Sequence, residues 1–372
     1  MILKSIKHRA YILIAPIIVG MCNMNSVGFQ SFDDQKIAFQ YLTSDKVLLD
    51  IYEHYDSEGL LEGYTSHIVT PVCEDKLCLE AEVKIYWDLL GNFIKFSPIA
   101  ENPLTKLDHI PFDSADYQKL HKILSDKSPS FIHLRRNELI NNDGDGIEGV
   151  DGISSATVAG VKRDMVDGAI FTCYTLWYIA NGGINFNIQE HTRNKINNEL
   201  IIKMIRSGNT KSHYFLIENI KVTHFELFIN ELVSMNLEYD GFFIQRIINK
   251  IPESLIQSPL AQDFLFSHFD EIEYSSKNEF LQKLESIQLQ KEQLSFLVKH
   301  LSPANTGLNQ LIIKILCNNA DAENIDVLLE LFESLIKNKI KVSGSSYDQL
   351  IATGDQHSKL KRLARKMGNT RK

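Results

Sequence analysis

From about residue 190 onward the sequence is one amphipathic segment after another, separated only by short turns. Apolar residues at helical spacing mark segments near 192–207, 222–235, 239–250, 260–269, 276–286, 290–301, 304–318, 321–338 and 345–353. Breaks such as Ile251-Pro252, Ser258-Pro259 and Ser302-Pro303 fall between them, because proline lacks the N–H that continues a helix and restricts the residue before it. Such a chain buries its apolar stripes by stacking helix on helix. Residues 190–370 are therefore expected to form an all-α helical-repeat domain of α-solenoid-like type. No clean repeat consensus accompanies the pattern, so an irregular helical bundle remains the alternative.

The preceding half changes period. Leu77, Leu79, Ala81, Val83, Ile85 and Trp87 alternate with Cys78, Glu80, Glu82, Lys84, Tyr86 and Asp88, the signature of a strand with one buried face. Gly91-Asn92 is a hairpin turn pair, and Phe93–Phe96 is the returning strand. Residues 97–113 hold three prolines and read as a loop, and Ser114–Ser125 as a helix capped by Asp113 or Ser114. Val158, Val161, Met165, Ala169, Cys173, Leu176 and Ala180 share one face of a long predicted helix that ends at Asn181-Gly182-Gly183. Residues 65–185 thus read as an α+β domain. Residues 29–64 read as an N-terminal helical segment, with helices over Asp34–Leu42 and Val47–Glu53. The fold class expected is an α+β domain followed by an all-α one.

The first residues have the composition of an export signal. Lys4, Lys7 and Arg9 precede the apolar run Ala10–Gly20, which is shorter than the roughly 20 residues a membrane helix needs. Ser26-Val27-Gly28 places small residues where a signal peptidase reads them, giving a signal peptide over residues 1–28, with a lipid anchor on Cys22 as the competing outcome. The expected location is periplasmic or otherwise extracytoplasmic, with no transmembrane span in the mature chain. An oxidising compartment suits a disulfide between Cys73 and Cys78, worth about 2 kcal/mol for so short a loop. Cys173 and Cys317 lie in apolar helical patterns and read as core residues. A formal charge of −8 argues against nucleic acid as a partner, although residues 358–372 carry seven basic residues and no acid.

One short motif carries chemistry. The glycine-rich run Asn141–Gly152 leads into Ile153-Ser154-Ser155-Ala156-Thr157 at the start of a predicted helix. Unpaired N–H groups and the positive end of the helix dipole make such a site a seat for phosphate. Asp151 and Gly152 permit the turn, Ser154 or Ser155 caps the helix, and the Thr157 hydroxyl falls in its first turn. The same stretch imitates half of a calcium loop through Asn141, Asp143 and Asp145, but its twelfth position is Gly152 where a glutamate is needed.

Asp151-Gly152-Ile153-Ser154-Ser155-Ala156-Thr157 resembles the flavinylation motif of the extracytoplasmic FMN-binding domain family, in which an Asp, two variable residues, Ser or Thr, usually Gly, and then Ala-Thr precede a helix. Asp151, Ser154, Ala156 and Thr157 match, within a resemblance spanning roughly residues 145–182. Ser155 replaces the usual glycine, and Val158-Ala159 lacks the hydroxyl residue common two places after the threonine. The resemblance implies FMN esterified through its phosphate to Thr157 by a separate magnesium-dependent flavin transferase, and a chain so loaded is expected to transfer electrons, with the HEAT-like helical domain docking the redox partner. Asp151, Gly152, Ser154, Ser155, Ala156 and Thr157 are the implied cofactor-binding residues. Trp87, Tyr174 and Trp177 are candidates either for stacking on the flavin ring or for core packing. The other reading of the motif is a plain helix cap in a flavin-free interaction protein.

Overall fold

The computed structural model describes residues 37–369 except 45, 73–78, 140–160, 162–163, 236–237, 322 and 357. Five strands, β1 (Ile37–Leu42), β2 (Leu48–Tyr55), β3 (Leu61–Thr70), β4 (Ala81–Asp88) and β5 (Phe93–Pro98), form an antiparallel sheet in sequence order. β1 and β2 correct the helices expected over Asp34–Leu42 and Val47–Glu53. In β2, Leu49 and Ile51 are buried between more exposed neighbours, and Phe39 and Tyr41 of β1 pack on the same core. Over so few residues apolar spacing fits either period, and pairing of β2 with β3 from Tyr52–Thr65 to Tyr55–Leu61 selects the strand. Of the stretch 29–64, the described residues from 37 on supply β1, β2 and the start of β3 where a helical segment was expected.

β4 follows its alternation. Ala81, Val83, Ile85 and Trp87 are buried, whereas Leu79, just before the strand, is exposed. The hairpin after it is tied by the Asp88 carboxylate, which accepts from the backbone N–H of Leu90 and of Asn92 at 2.8 Å each. Gly91 supplies the left-handed φ of +76° that this turn requires.

Helix α1 (Ser114–Ser125) packs on β5 and is capped by Asp113, whose side chain accepts from the N–H groups of Ala115 and Asp116. The Asp116 carboxylate accepts in turn from the Asp113 N–H, completing a reciprocal cap. Helix α2 (Ile170–Asn181) packs against α1, and the long helix expected to run unbroken to Asn181 is interrupted before it. Gly168 has φ of +73°, and its carbonyl accepts from the Leu107 N–H at 2.9 Å.

The remainder is helical: α3 (Ile184–Lys195), α4 (Asn198–Arg206), α5 (Thr210–Asn219), α6 (Phe225–Met235), α7 (Gly241–Lys250), α8 (Glu253–Ile256), α9 (Pro259–Ser267), α10 (Tyr274–Leu284), α11 (Lys291–Lys299), α12 (Thr306–Asn318), α13 (Ile325–Lys337), α14 (Gly344–Gln356) and α15 (Ser358–Asn369). The segment expected at 192–207 divides at Asn197, which caps α4 by accepting from the Leu200 N–H. Helix α5, capped by Asn209, occupies a stretch with no predicted element.

Consecutive helices such as α14 and α15 touch, and further contacts skip one helix. α4 meets α6 and α6 meets α9, α5 meets α7, and the succession α7, α10, α12, α14 continues the second line, while α11, α13 and α15 continue the first. Helices α9, α11, α13 and α15 begin 32, 34 and 33 residues apart, and α5, α7, α10 and α12 begin 31, 33 and 32 apart. The buried triplets Ile247-Ile248-Ile251, Phe280-Leu281-Leu284 and Ile312-Ile313-Leu316 recur at that spacing on α7, α10 and α12 and the turns that follow them. Each places two adjacent residues and one a turn later against the neighbouring helices. Among the described residues no helix is long and apolar enough to cross a membrane.

Candidate functional site

The residues singled out for cofactor binding, Asp151, Gly152, Ser154, Ser155, Ala156 and Thr157, lie outside the described residues, as do Cys22, Cys73, Cys78 and the signal segment over residues 1–28. In sequence, Leu139 and Val161 flank the motif, and both are buried in the core that also holds Trp87 and α2.

The aromatic candidates for stacking are core residues. Trp87 is fully buried and donates its indole N–H to the Ala180 carbonyl at 2.9 Å. Trp177 donates to the Asp126 carbonyl at 2.8 Å, Tyr174 to that of Leu134 at 3.0 Å and Tyr178 to that of Ile132 at 2.9 Å. Their polar ends thus satisfy the backbone between α1 and the motif, and their faces contact one another and Phe131. None of these rings is an open stacking platform for a flavin. Cys173 is fully buried, which pushes its thiol up to about 12, and burial also raises Cys317. Both thiols are free and suit packing rather than reaction. Asp108 and His109 are exposed on a turn with positive φ, and His121 is an exposed residue against Phe93.

A polar cluster that no motif announced lies where β2 and β3 meet α3. Glu53 accepts from Lys195 Nζ at 2.6 Å and from the Tyr55 hydroxyl. His191 Nε2 lies 3.6 Å from the same carboxylate. On the other side of the ring, Nδ1 is 3.2 Å from the Tyr64 hydroxyl, which is 2.8 Å from Thr192 Oγ1. Thr192 donates to the Leu89 carbonyl at 2.8 Å, so its one hydrogen is committed. Tyr64 therefore donates to Thr192 and accepts from Nδ1–H of His191, which fixes the imidazole tautomer.

Electrostatics make this cluster a clamp. Burial works to raise the Glu53 pKa, but hydrogen bonds from Lys195 and Tyr55 and the charges of Lys195 and His191 prevail and lower it. Burial lowers the His191 pKa despite the Glu53 charge, and Lys195 adds to the lowering. Burial raises the Tyr64 hydroxyl, and hydrogen bonding to Glu53 pushes Tyr55 up to about 12. An ionised carboxylate already matched by a lysine is a weak base, and phenols held protonated are poor nucleophiles. Beside the cluster a small cleft is lined by Tyr55, Gly59, Leu60, Leu61, Lys195, Asn197 and Leu200. Lys203 of α4 closes the adjoining turn through Asp56 at 2.6 Å.

Among the described residues no group of three or more His, Cys, Asp or Glu side chains is placed to hold a metal ion. No signal within 53–64 or 188–195 distinguishes the clamp residues from ordinary strand and helix residues, since Tyr64 and Thr192 are 128 positions apart. No family model matches the chain, and comparison with curated proteins and with solved structures finds no match.

Proposed function

We propose that this chain is an extracytoplasmic electron-transfer protein that carries FMN on Thr157, with its helical part a HEAT-like repeat surface for the redox partner. The observation that carries the reading is the sequence Asp151-Gly152-Ile153-Ser154-Ser155-Ala156-Thr157 beneath a signal-like N-terminus. Bound FMN supplies reversible electron uptake. Thr157 would contribute the oxygen of the phosphate ester, in a transfer that would break the pyrophosphate bond of an FAD donor and release AMP, with the hydroxyl proton passing to solvent. Ser154, Ser155 and the N–H groups around them would hold the phosphate, and Asp151 with Gly152 would allow the turn. Co-expression with a flavin transferase, followed by denaturation, tests this: flavin fluorescence is expected to stay with the polypeptide and to vanish in Thr157→Val. A colourless denatured chain, or flavin retained by Thr157→Val, removes the assignment.

A second reading is a non-catalytic exported scaffold whose helical stack binds a partner and whose sheet domain holds no flavin. It is favoured by the helix starts that recur from α5 to α12 and from α9 to α15 and by the buried triplets on α7, α10 and α12, since a repeat stack would offer an extended surface without special residues. Capture of the same partner from an extracytoplasmic extract, with and without transferase co-expression, separates the readings. Flavin-independent capture supports the scaffold.

A further inference from the structure

The last helix, α15, turns its apolar residues inward: Leu360 and Ala364 are buried and Leu363 is half-buried where the helix packs on α13 and α14. Lys361, Arg362, Arg365 and Lys366 are exposed on its other side. At 100° per residue these four cations fall on one continuous face of the helix. Only Lys361 pairs with an acid among the described residues, Asp355 at 3.7 Å, and both partners are exposed. Exposed Lys337, Lys339 and Lys341 follow from the end of α13, on which α15 packs. Residues 358–372 contain seven basic residues and no acid, in a chain whose formal charge is −8.

We propose that this end of the helical stack is a docking surface for an anionic lipid bilayer. The concentration of unmatched cations on one helix face demands a polyanionic partner, since a solvated helix gains nothing from like charges on adjacent turns. The exposed face of α15 carries no aromatic side chain on which an unpaired base would stack. Because the apolar face is already buried against α13, the contact is electrostatic adsorption without insertion of the helix. A surface of phosphate headgroups meets the whole cationic face at once. The proposal stands independently of the flavin on Thr157.

The test is sedimentation of the full chain with vesicles of phosphatidylcholine alone or with about 30% phosphatidylglycerol, at about 0.1 M salt. Pelleting is expected with the anionic vesicles only. Loss of three cations in Arg362→Gln/Arg365→Gln/Lys366→Gln is expected to weaken it about a hundredfold, with an unchanged melting curve showing that the stack is intact. Should that variant melt early, Lys339→Gln/Lys341→Gln on the neighbouring turn provides the second measurement, with a weaker but still salt-sensitive loss expected. Equal pelleting with neutral vesicles, undiminished pelleting of the variants, or tighter binding to a duplex DNA control than to the anionic vesicles overturns the proposal.

Discussion

The indole N–H of Trp87, on the buried face of β4, donates to the carbonyl of Ala180 at 2.9 Å, so the sheet is joined to the last turn of α2 through one side chain. The last four carbonyls of a helix have no partner within it, and here one of them is satisfied from the sheet. Trp87→Phe removes that donor and leaves a small cavity. It is expected to cost about 2–4 kcal/mol, read as a lowered urea midpoint with an unchanged slope. A midpoint within error of the parent would mean that the indole bond contributes nothing.

Tyr64, Thr192 and Leu89 form a directed chain of hydrogen bonds, so their losses should not add. Thr192→Val strands the Leu89 carbonyl and the Tyr64 hydroxyl together, at about 1–3 kcal/mol. Tyr64→Phe removes the same link from the other side. The double variant is expected to be more stable than the sum of the single losses predicts, by about 0.5–3 kcal/mol. Strict additivity in a denaturation cycle would separate the two residues energetically.

Two glycines with nearly the same backbone angle make a matched pair. Gly59 has φ of +78° and open space where a Cβ would stand, whereas Gly91 has φ of +76° and would place its Cβ 2.4 Å from Asn185 Cα. Gly59→Ala is expected to cost about 1–2 kcal/mol, the left-handed penalty alone. Gly91→Ala must also push α3 away from the β4–β5 turn and is expected to cost clearly more. Equal melting temperatures for the two variants would show that α3 yields freely.

His213 contributes to the acid side of stability in the helical region. It is buried, donates from Nε2 to the Ile205 carbonyl at 2.9 Å, and has Nδ1 without a partner near the Tyr239 and Phe243 rings. Burial lowers its pKa below 6.5, and that of His191 likewise. The unfolded chain therefore takes up protons first as pH falls through 6.5, and stability declines from there down to the folded-state values. Glu53, lowered below 4.5, adds a further loss in the same direction at lower pH. Urea midpoints at about pH 7.5 and 5.5 are expected to differ in the parent and to differ less in His213→Gln. A midpoint constant across that interval in the parent contradicts the account.

Local pattern was enough wherever an element's own residues settle its partner-facing side. The alternation from Ala81 to Trp87, the Gly91-Asn92 turn, the Asp113 cap and most helices beyond Phe225 are of this kind. The motif from Asp151 to Thr157 is likewise legible as a pattern of residue types, although it lies outside the described residues. Helix starts recur every 31 to 34 residues from α5 to α12 and from α9 to α15 without a residue consensus, because each position demands only an apolar side chain, not a particular one.

Elsewhere the deciding contacts join residues far apart in the chain. β1 and β2 carry spacing that suits a short helix, and only the ladder to β3 makes the extended form the one that satisfies their backbone groups. The interruption before α2 depends on Gly168 meeting Leu107, and the clamp at Glu53 on helix α3 arriving beside β2 and β3. Periodicity records which face of a segment avoids water; it does not record which other segment will cover that face, and the hydrogen bonds and charges at such meetings exist only once the chain has closed on itself.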